Sequence, residues 1–435
     1  MGSARVGQSS VACRPLRVRY AETNGRELTL PVERPGTGSG TTSASLYIAT
    51  FDGLRGVVVL SIVMAHIFVV SRWVPNLFGL HPAMYFGVDF LFVVSGFVMF
   101  LPAVARGAFG SVRSYALRRV GKIVPSYYVS IVVTLAVLAM IPPLYPARHD
   151  AAAVVAHLLF LQVPFSWESV GLGSNLLWWS LSTIAAFYVV LPLVAGRYLR
   201  HPLLGLLLAI SISVAWQLEF GLYEARWAAE LPRFLDDFAI GMTAAAVYVA
   251  ARRRLPSQRL RRACAWLFVP AGVVLVYLLD LVGDEVARGD ATRYEESPLV
   301  SLAVAATFAV LFVATAFLPR ALQWPLSNRV SRWLGDISFG VFLYHLLILH
   351  VVMNAMGLRP PASWGALDTQ ANWTLIGELT LIVVPTSLVV AWLSTVLVER
   401  PFRARFRRYA RRFEGPGTPP VPIPHPAGPA SRGAS

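Results

Sequence analysis

Charged side chains are scarce in this chain. Asp, Glu, Lys and Arg make up 14% of its 435 residues, against roughly a quarter in soluble domains. With 56% hydrophobic residues and a mean hydropathy of +0.59, it has too few polar groups to cover a water-facing surface. That excludes an ordinary soluble domain and points to a bilayer as the solvent. Cysteine is nearly absent, with only Cys13 and Cys264. Without a CxxC or a Cys/His cluster, a disulfide framework and a zinc-type site are excluded, and a catalytic thiol has no supporting pattern. No metal is expected. The first 45 or so residues lack an apolar core, so they do not read as a cleaved signal peptide, and the first span is expected to act as an uncleaved anchor. No 20–50-residue repeat is present. Acidic residues are outnumbered 23 to 38, for a formal net charge of +15. The basic residues nevertheless lie between apolar runs rather than on one polar face, which argues against a nucleic-acid partner.

Those apolar runs carry the fold. A helical span needs about 20 mostly apolar residues, and ten windows qualify: 51–71, 84–104, 122–141, 176–196, 203–220, 234–251, 264–282, 299–318, 334–353 and 375–397. The run 151–163 is shorter and suits an interfacial or re-entrant helix. Charge decides between ten spans and eleven. With ten, the N-terminal tail, residues 106–122, 197–201, 252–262 and 320–332, and the C-terminal tail share one side. About thirty of the 38 Lys/Arg then fall on that side, as the positive-inside rule requires of the cytoplasm. Glu219, Glu224, Glu230, Asp284, Glu285, Asp290, Glu295 and Glu296 fall on the other. An eleventh span would turn Arg252-Arg253-Arg254 outward. The predicted fold is an all-α integral membrane protein, a bundle of about ten transmembrane helices plus one short interfacial or re-entrant helix. It is placed in the plasma (inner) membrane with both termini cytoplasmic. Residues 1–48 are read as a disordered tail and 49–402 as the ten-span domain. Residues 403–435 are read as a basic, then Pro/Gly-rich disordered tail. The basic run 400–412 reads as an orientation signal on anionic lipid.

Ionisable residues inside spans are costly and tend to be functional. Arg55 and His66 lie in the first span, eleven positions apart. At about 100° per residue they share one face, about 16 Å apart along the axis. The plainer alternative is a snorkelling Arg55 and a hydrogen-bonding His66. Asp89 in the second span needs a partner, Arg55 or His66, or a place on a cavity wall. Ser95-Gly96 reads first as a close helix approach and second as a nucleophile. Arg118, Arg119 and Lys122 follow; Arg119 and Lys122, three apart at an expected helix start, share a face that can hold phosphates. Later spans add Asp236, Asp237, Tyr344, His345 and His350, with His345 read first as a bundle hydrogen-bonder. Trp178-Trp179 reads as an interfacial anchor.

Six blocks in order resemble the membrane-bound acyltransferase-3 family, which O-acylates polysaccharides, peptidoglycan and some macrolides. They are Phe51-Asp52-Gly53-Leu54-Arg55-Gly56 with His66, and Phe86-Gly87-Val88-Asp89 running on to Ser95-Gly96-Phe97. Next come Arg118-Arg119-Val120-Gly121-Lys122 ending in Pro125, and Trp179-Ser180-Leu181-Ser182 with Phe187-Tyr188. The last two are Leu334-Gly335-Asp336-Ile337-Ser338 through Tyr344-His345, and Val398-Glu399-Arg400-Pro401-Phe402. Two departures stand out. Ile184 occupies the usual Glu position, and Lys122 the second Arg of the basic block, which keeps the charge and loses bidentate geometry. The short C-terminal tail resembles the stand-alone form, without an added extracytoplasmic esterase-like domain.

The resemblance implies an acyl-CoA donor, most often acetyl-CoA, and as acceptor a hydroxyl of a glycan or glycosylated natural product. Local chemistry fits His66 as general base or acyl relay, with Arg55 binding donor phosphates or stabilising developing negative charge and Asp89 as a further catalytic candidate. Arg118, Arg119 and Lys122 would hold donor phosphates. Asp52, Ser95, Trp179, Tyr188, Tyr344 and His345 are further pocket candidates. The rival reading is a secondary transporter or exporter using buried Arg, His and Asp for proton coupling.

Overall fold

A computed structural model describes residues 48–71, 86–144, 148–164, 171–220, 229–254, 257–287, 298–358 and 372–414, all within one compact unit, Thr42–Ser435. Cys13, Glu224, Asp290, Glu295, Glu296 and most of both expected tails lie outside the described residues.

The helices are α1 (Ala49–Val70), α2 (Gly87–Arg106), α3 (Val112–Leu138), α4 (Ala151–Leu158), α5 (Trp179–Arg200), α6 (Pro202–Phe220) and α7 (Leu235–Arg254). They continue with α8 (Ser257–Ala287), α9 (Pro298–Thr315), α10 (Arg320–Ser327), α11 (Arg329–Ala355), α12 (Trp373–Ser394) and α13 (Arg400–Arg411). Single 3₁₀ turns, Leu176–Trp178 and Leu231–Phe234, precede α5 and α7. A π turn, Thr395–Glu399, joins α12 to α13 without a break. No strand occurs among the described residues. Among the described residues, ten helices are long and apolar enough to cross a membrane, and they match the ten windows one for one. The protein is an all-α integral membrane protein.

Local chemistry sets the starts. Ser111 caps α3 by accepting from the Ser114 amide (3.3 Å), Asp150 caps α4 from Ala153 (2.9 Å), and Asn328 caps α11 from Ser331 (2.9 Å). The Ser111 cap starts α3 ten residues before the apolar window. Lys122 therefore sits in the third turn of a helix, not at its start, a correction to the sequence reading.

α2, α7 and α11 are the most buried spans; α6 and α8 present mostly exposed apolar side chains such as Leu203, Leu204, Trp266 and Val269. Such faces need lipid, not water. The central helices meet at glycines. A Cβ on Gly335 of α11 would stand 2.2 Å from the Asp52 carbonyl oxygen of α1. One on Gly96 of α2 would stand 2.2 Å from the Phe238 carbonyl oxygen of α7. Small residues permit this backbone-to-backbone packing, the main source of cohesion between helices in lipid.

α4 spans only eight residues. The segment around it is tied in by buried polar groups. Tyr127 and His157 meet at 2.7 Å, Gln162 donates to the Trp178 carbonyl (2.8 Å), and Ser174 bonds His350 Nδ1 (3.0 Å). Phe160 and Leu172 hold left-handed backbone there, φ 59° and 53°, strain that the surrounding bonds sustain. Trp178 is fully buried against Tyr127 and His157. It is core and not an interfacial anchor, because Tyr127 and the segment carrying His157 and Gln162 cover it. Trp179 is half-buried and stacks on Phe234 (5.3 Å).

Candidate active site

α1 and α11 lie side by side and place the two predicted side chains. Arg55 Nε donates to Ser338 Oγ (3.0 Å), its Nη2 donates to the Gly335 carbonyl, and Asp52 lies 3.3 Å from Nη2. The guanidinium is thus fixed by a neighbouring helix and one turn of its own. Farther along the same face, the half-buried His66 lies edge to face with the fully buried His345, ring centres 5.3 Å apart. His66 Nδ1 is 2.7 Å from the Ile62 carbonyl oxygen and His345 Nδ1 is 2.9 Å from that of Val341. A carbonyl only accepts, so each Nδ1 carries hydrogen and each neutral ring keeps its lone pair on Nε2.

A cavity of about 110 Å³ lies between α1, α2, α3, α5, α11 and the α12–α13 junction. One end is charged. Arg55, Lys122, Asp336, Glu399 and Arg403 line it, with Arg403 bonded to Glu399 (3.3 Å) and 3.6 Å from Asp336. Arg400 adds a 2.7 Å bond to Asp336. Glu399 is 2% exposed, held inward where the π turn rotates the chain. The remaining wall is largely apolar, including Val59, Leu91, Phe92, Leu181, Phe339 and Phe342, with Ser95 and Ser180 as hydroxyls. Ile184 lies in this wall, so the position that carries Glu in the resembled pattern faces the cavity with an alkyl group.

The structure brings together Arg55, Asp52, Lys122, Ser95 and Tyr188, and separately His66 and His345. Neither imidazole is in the cavity wall. Phe342 closes the wall on α11, one turn before His345, with ring centres 6.4 Å apart. Asp89 is elsewhere: its carboxyl hydrogen-bonds Asp237 beside Asp236 and Arg233, not Arg55. Arg119 and Lys122 diverge. Lys122 faces the first cavity, whereas Arg119 lies over Tyr115 and Tyr188 (5.7 and 6.0 Å) in a second, apolar cavity between α3 and α5. Arg118 bonds Glu414. Tyr344 is buried against Ser394. Sequence reasoning did not single out Asp336, Ser338, Glu399 or Arg403 as site residues. The available signal was a carboxylate ending the last apolar run, Glu399-Arg400-Pro401.

The chain is therefore a multi-pass membrane protein enclosing an amphipathic cavity. It belongs to the acyltransferase-3 family, whose model, described as an acyltransferase domain, matches residues 48–395. It is 26% identical over 394 residues to a putative peptidoglycan O-acetyltransferase, YrhL, of Bacillus subtilis (strain 168), covering 84% of this chain and 56% of that protein. It is 25% identical over 375 residues to the peptidoglycan O-acetyltransferase OatA of Listeria monocytogenes serovar 1/2a, covering 79% and 56%. The chain thus spans little more than half the length of these relatives. No solved structure gives a significant match.

Proposed function

We propose that this chain is a membrane O-acyltransferase that moves an acyl group, acetyl in the first instance, from acyl-CoA to a glycan hydroxyl. The observation that carries the reading is the cavity, lined at one end by Arg55, Lys122 and Arg403 and otherwise largely apolar, with Phe342 of its wall one turn from His345 of the His66–His345 pair. CoA has the matching form, an anionic nucleotide and a slender pantetheine arm ending in the thioester. The charged end would face the cytoplasm, where the positive-inside bias puts it and where acyl-CoA is made. The relatives' names favour peptidoglycan as the acceptor to try first; a glycosylated natural product is the other class.

His66 acts as general base in this reading. Its Nε2 takes the hydroxyl proton as the oxygen attacks the thioester carbonyl, and Nδ1 stays bonded to Ile62 to hold the ring. Arg55, already oriented by Ser338, binds donor phosphate or developing negative charge. Phe342 stands between the cavity and His345, so its ring would have to turn aside to admit the thioester. An acyl-His66 relay is the covalent variant, told apart by trapping labelled protein from acetyl-CoA without acceptor. The test is the purified full chain with acetyl-CoA and solubilised peptidoglycan fragments, following CoA release and ester formation by mass spectrometry. The wild type transfers acetyl, and His66→Ala does not. A fully active His66→Ala would rule out both roles.

A transport reading draws on one observation, the hydrogen-bonded Asp89–Asp237 pair beside Asp236 and Arg233. Carboxyl pairs of this kind recur in proton-coupled carriers. A carrier releases no CoA in detergent, where no gradient exists.

A further inference from the structure

His345 is fully buried, and its Nε2 meets no hydrogen-bond partner. Its Nδ1–H is committed to Val341, so the buried orphan is a bare lone pair. Leaving such an acceptor unpaired in the interior is unfavourable, because it has given up its bond to water without a replacement. The ring beside it is His66, whose Nδ1–H is committed in the same way to Ile62. Two imidazoles thus sit together with both Nδ1 atoms satisfied and both Nε2 lone pairs uncommitted to their own helices.

Resting on the reading of His66 as base, we infer that His345 is a positioning residue that shares the transferred proton with His66. In the step, the acceptor O–H bond breaks and its oxygen bonds the acyl carbon. The C–S bond breaks and its electron pair stays on sulfur. The proton moves to His66 Nε2. A lone imidazolium among Ile62, Val341 and Phe342 would be expensive. His345 Nε2 supplies the acceptor that bridges to it, until the CoA thiolate takes the proton and leaves as the thiol. The orphaned nitrogen is then the resting half of a hydrogen bond made only while His66 is protonated.

The test measures acetyl transfer by the full chain in detergent, with acetyl-CoA and solubilised peptidoglycan fragments. His345→Ala lowers kcat by about tenfold to a hundredfold, while the KM for acetyl-CoA stays within about twofold. Added imidazole restores part of the loss. His345→Gln, whose carbonyl accepts from a protonated His66, recovers several-fold over His345→Ala. A merely structural His345 predicts joint loss of KM and kcat, with no recovery by imidazole or by Gln, and that result overturns the inference. Wild-type turnover in both variants with His66→Ala inactive also overturns it and leaves the base assignment standing. Turnover by His66→Ala overturns both.

Discussion

At one end of the cavity, charges are many and mutually paired. Asp52 holds Arg55, Glu399 holds Arg403 beside Lys122, and Asp336 holds Arg400 and Arg403. Farther along α1 and α11, outside the cavity wall and past Phe342, two imidazoles are each bonded to their own helix. Paired cations can exchange a protein carboxylate for a ligand phosphate at little net cost, which suits binding and release. Rings locked in one tautomer suit proton transfer. The two ends should therefore respond to substitution in different quantities, affinity at the first and turnover at the second.

The largest effect is expected at the imidazole end. His66→Ala should lower kcat by about 10²–10⁴-fold, yet acetyl-CoA should still raise its melting temperature as it does for wild type. A variant that loses donor stabilisation together with turnover would break the division of labour.

At the charged end the sharpest probe is Glu399→Gln. Removing one partner of a buried ion pair leaves its cations uncompensated, a cost of about 3 kcal/mol. Donor phosphates then replace the missing charge, so acetyl-CoA should stabilise this variant more than wild type by linkage. Equal stabilisation of the two proteins would place the phosphates elsewhere.

This asymmetry was only half legible in the sequence. Hydropathy and the distribution of Lys/Arg disclose ten spans, because membrane insertion acts on those same local properties. The common face of Arg55 and His66 follows from helix period alone, and both side chains do turn toward α11. What periodicity does not reach is pairing between helices. Arg55 meets Ser338 across 283 positions. Glu399 enters the cavity because a π turn rotates it inward, and no local signal marks that turn. Arg119 and Lys122 diverge for a related reason: cavities border α3 on both flanks, so three residues suffice to move from one to the other. Trp178 looked interfacial because hydropathy cannot show that the α4 segment covers it.

Between the two ends stands the α1–α11 contact, and Gly335→Ala tests how tightly they are coupled. The added Cβ would stand 2.2 Å from the Asp52 carbonyl oxygen, and backbone cannot yield as a side chain does. Overpacking of this kind costs about 1–3 kcal/mol, visible as a lower melting temperature in detergent. The KM for acetyl-CoA should rise more than kcat falls, since Gly335 also accepts from Arg55. Gly272→Ala, at a helical site with nothing within 4 Å, serves as the harmless control.

The smallest effect is expected at Glu414, just beyond α13. It accepts from Ser114 Oγ (2.9 Å) and from Arg118, both on α3. Partial burial pushes its carboxyl up, but the Arg118 and Ser114 bonds outweigh this and hold it below its ordinary value near 4.5. A carboxylate held down in the folded state contributes stability at pH above that ordinary value and loses it as pH falls through the folded value. The pair is about one-third exposed, 34% and 33%, so screening limits it to about 0.2–1 kcal/mol. Glu414→Gln should therefore lower the melting temperature slightly at neutral pH, and the gap should close as pH falls below the ordinary carboxyl value near 4.5 and through the lower folded value. A neutral-pH loss as large as that of Glu399→Gln would mean that burial does not set the worth of an ion pair at this end. The cluster around Lys122 would then be ordinary helix-end charge and not a site prepared for phosphate.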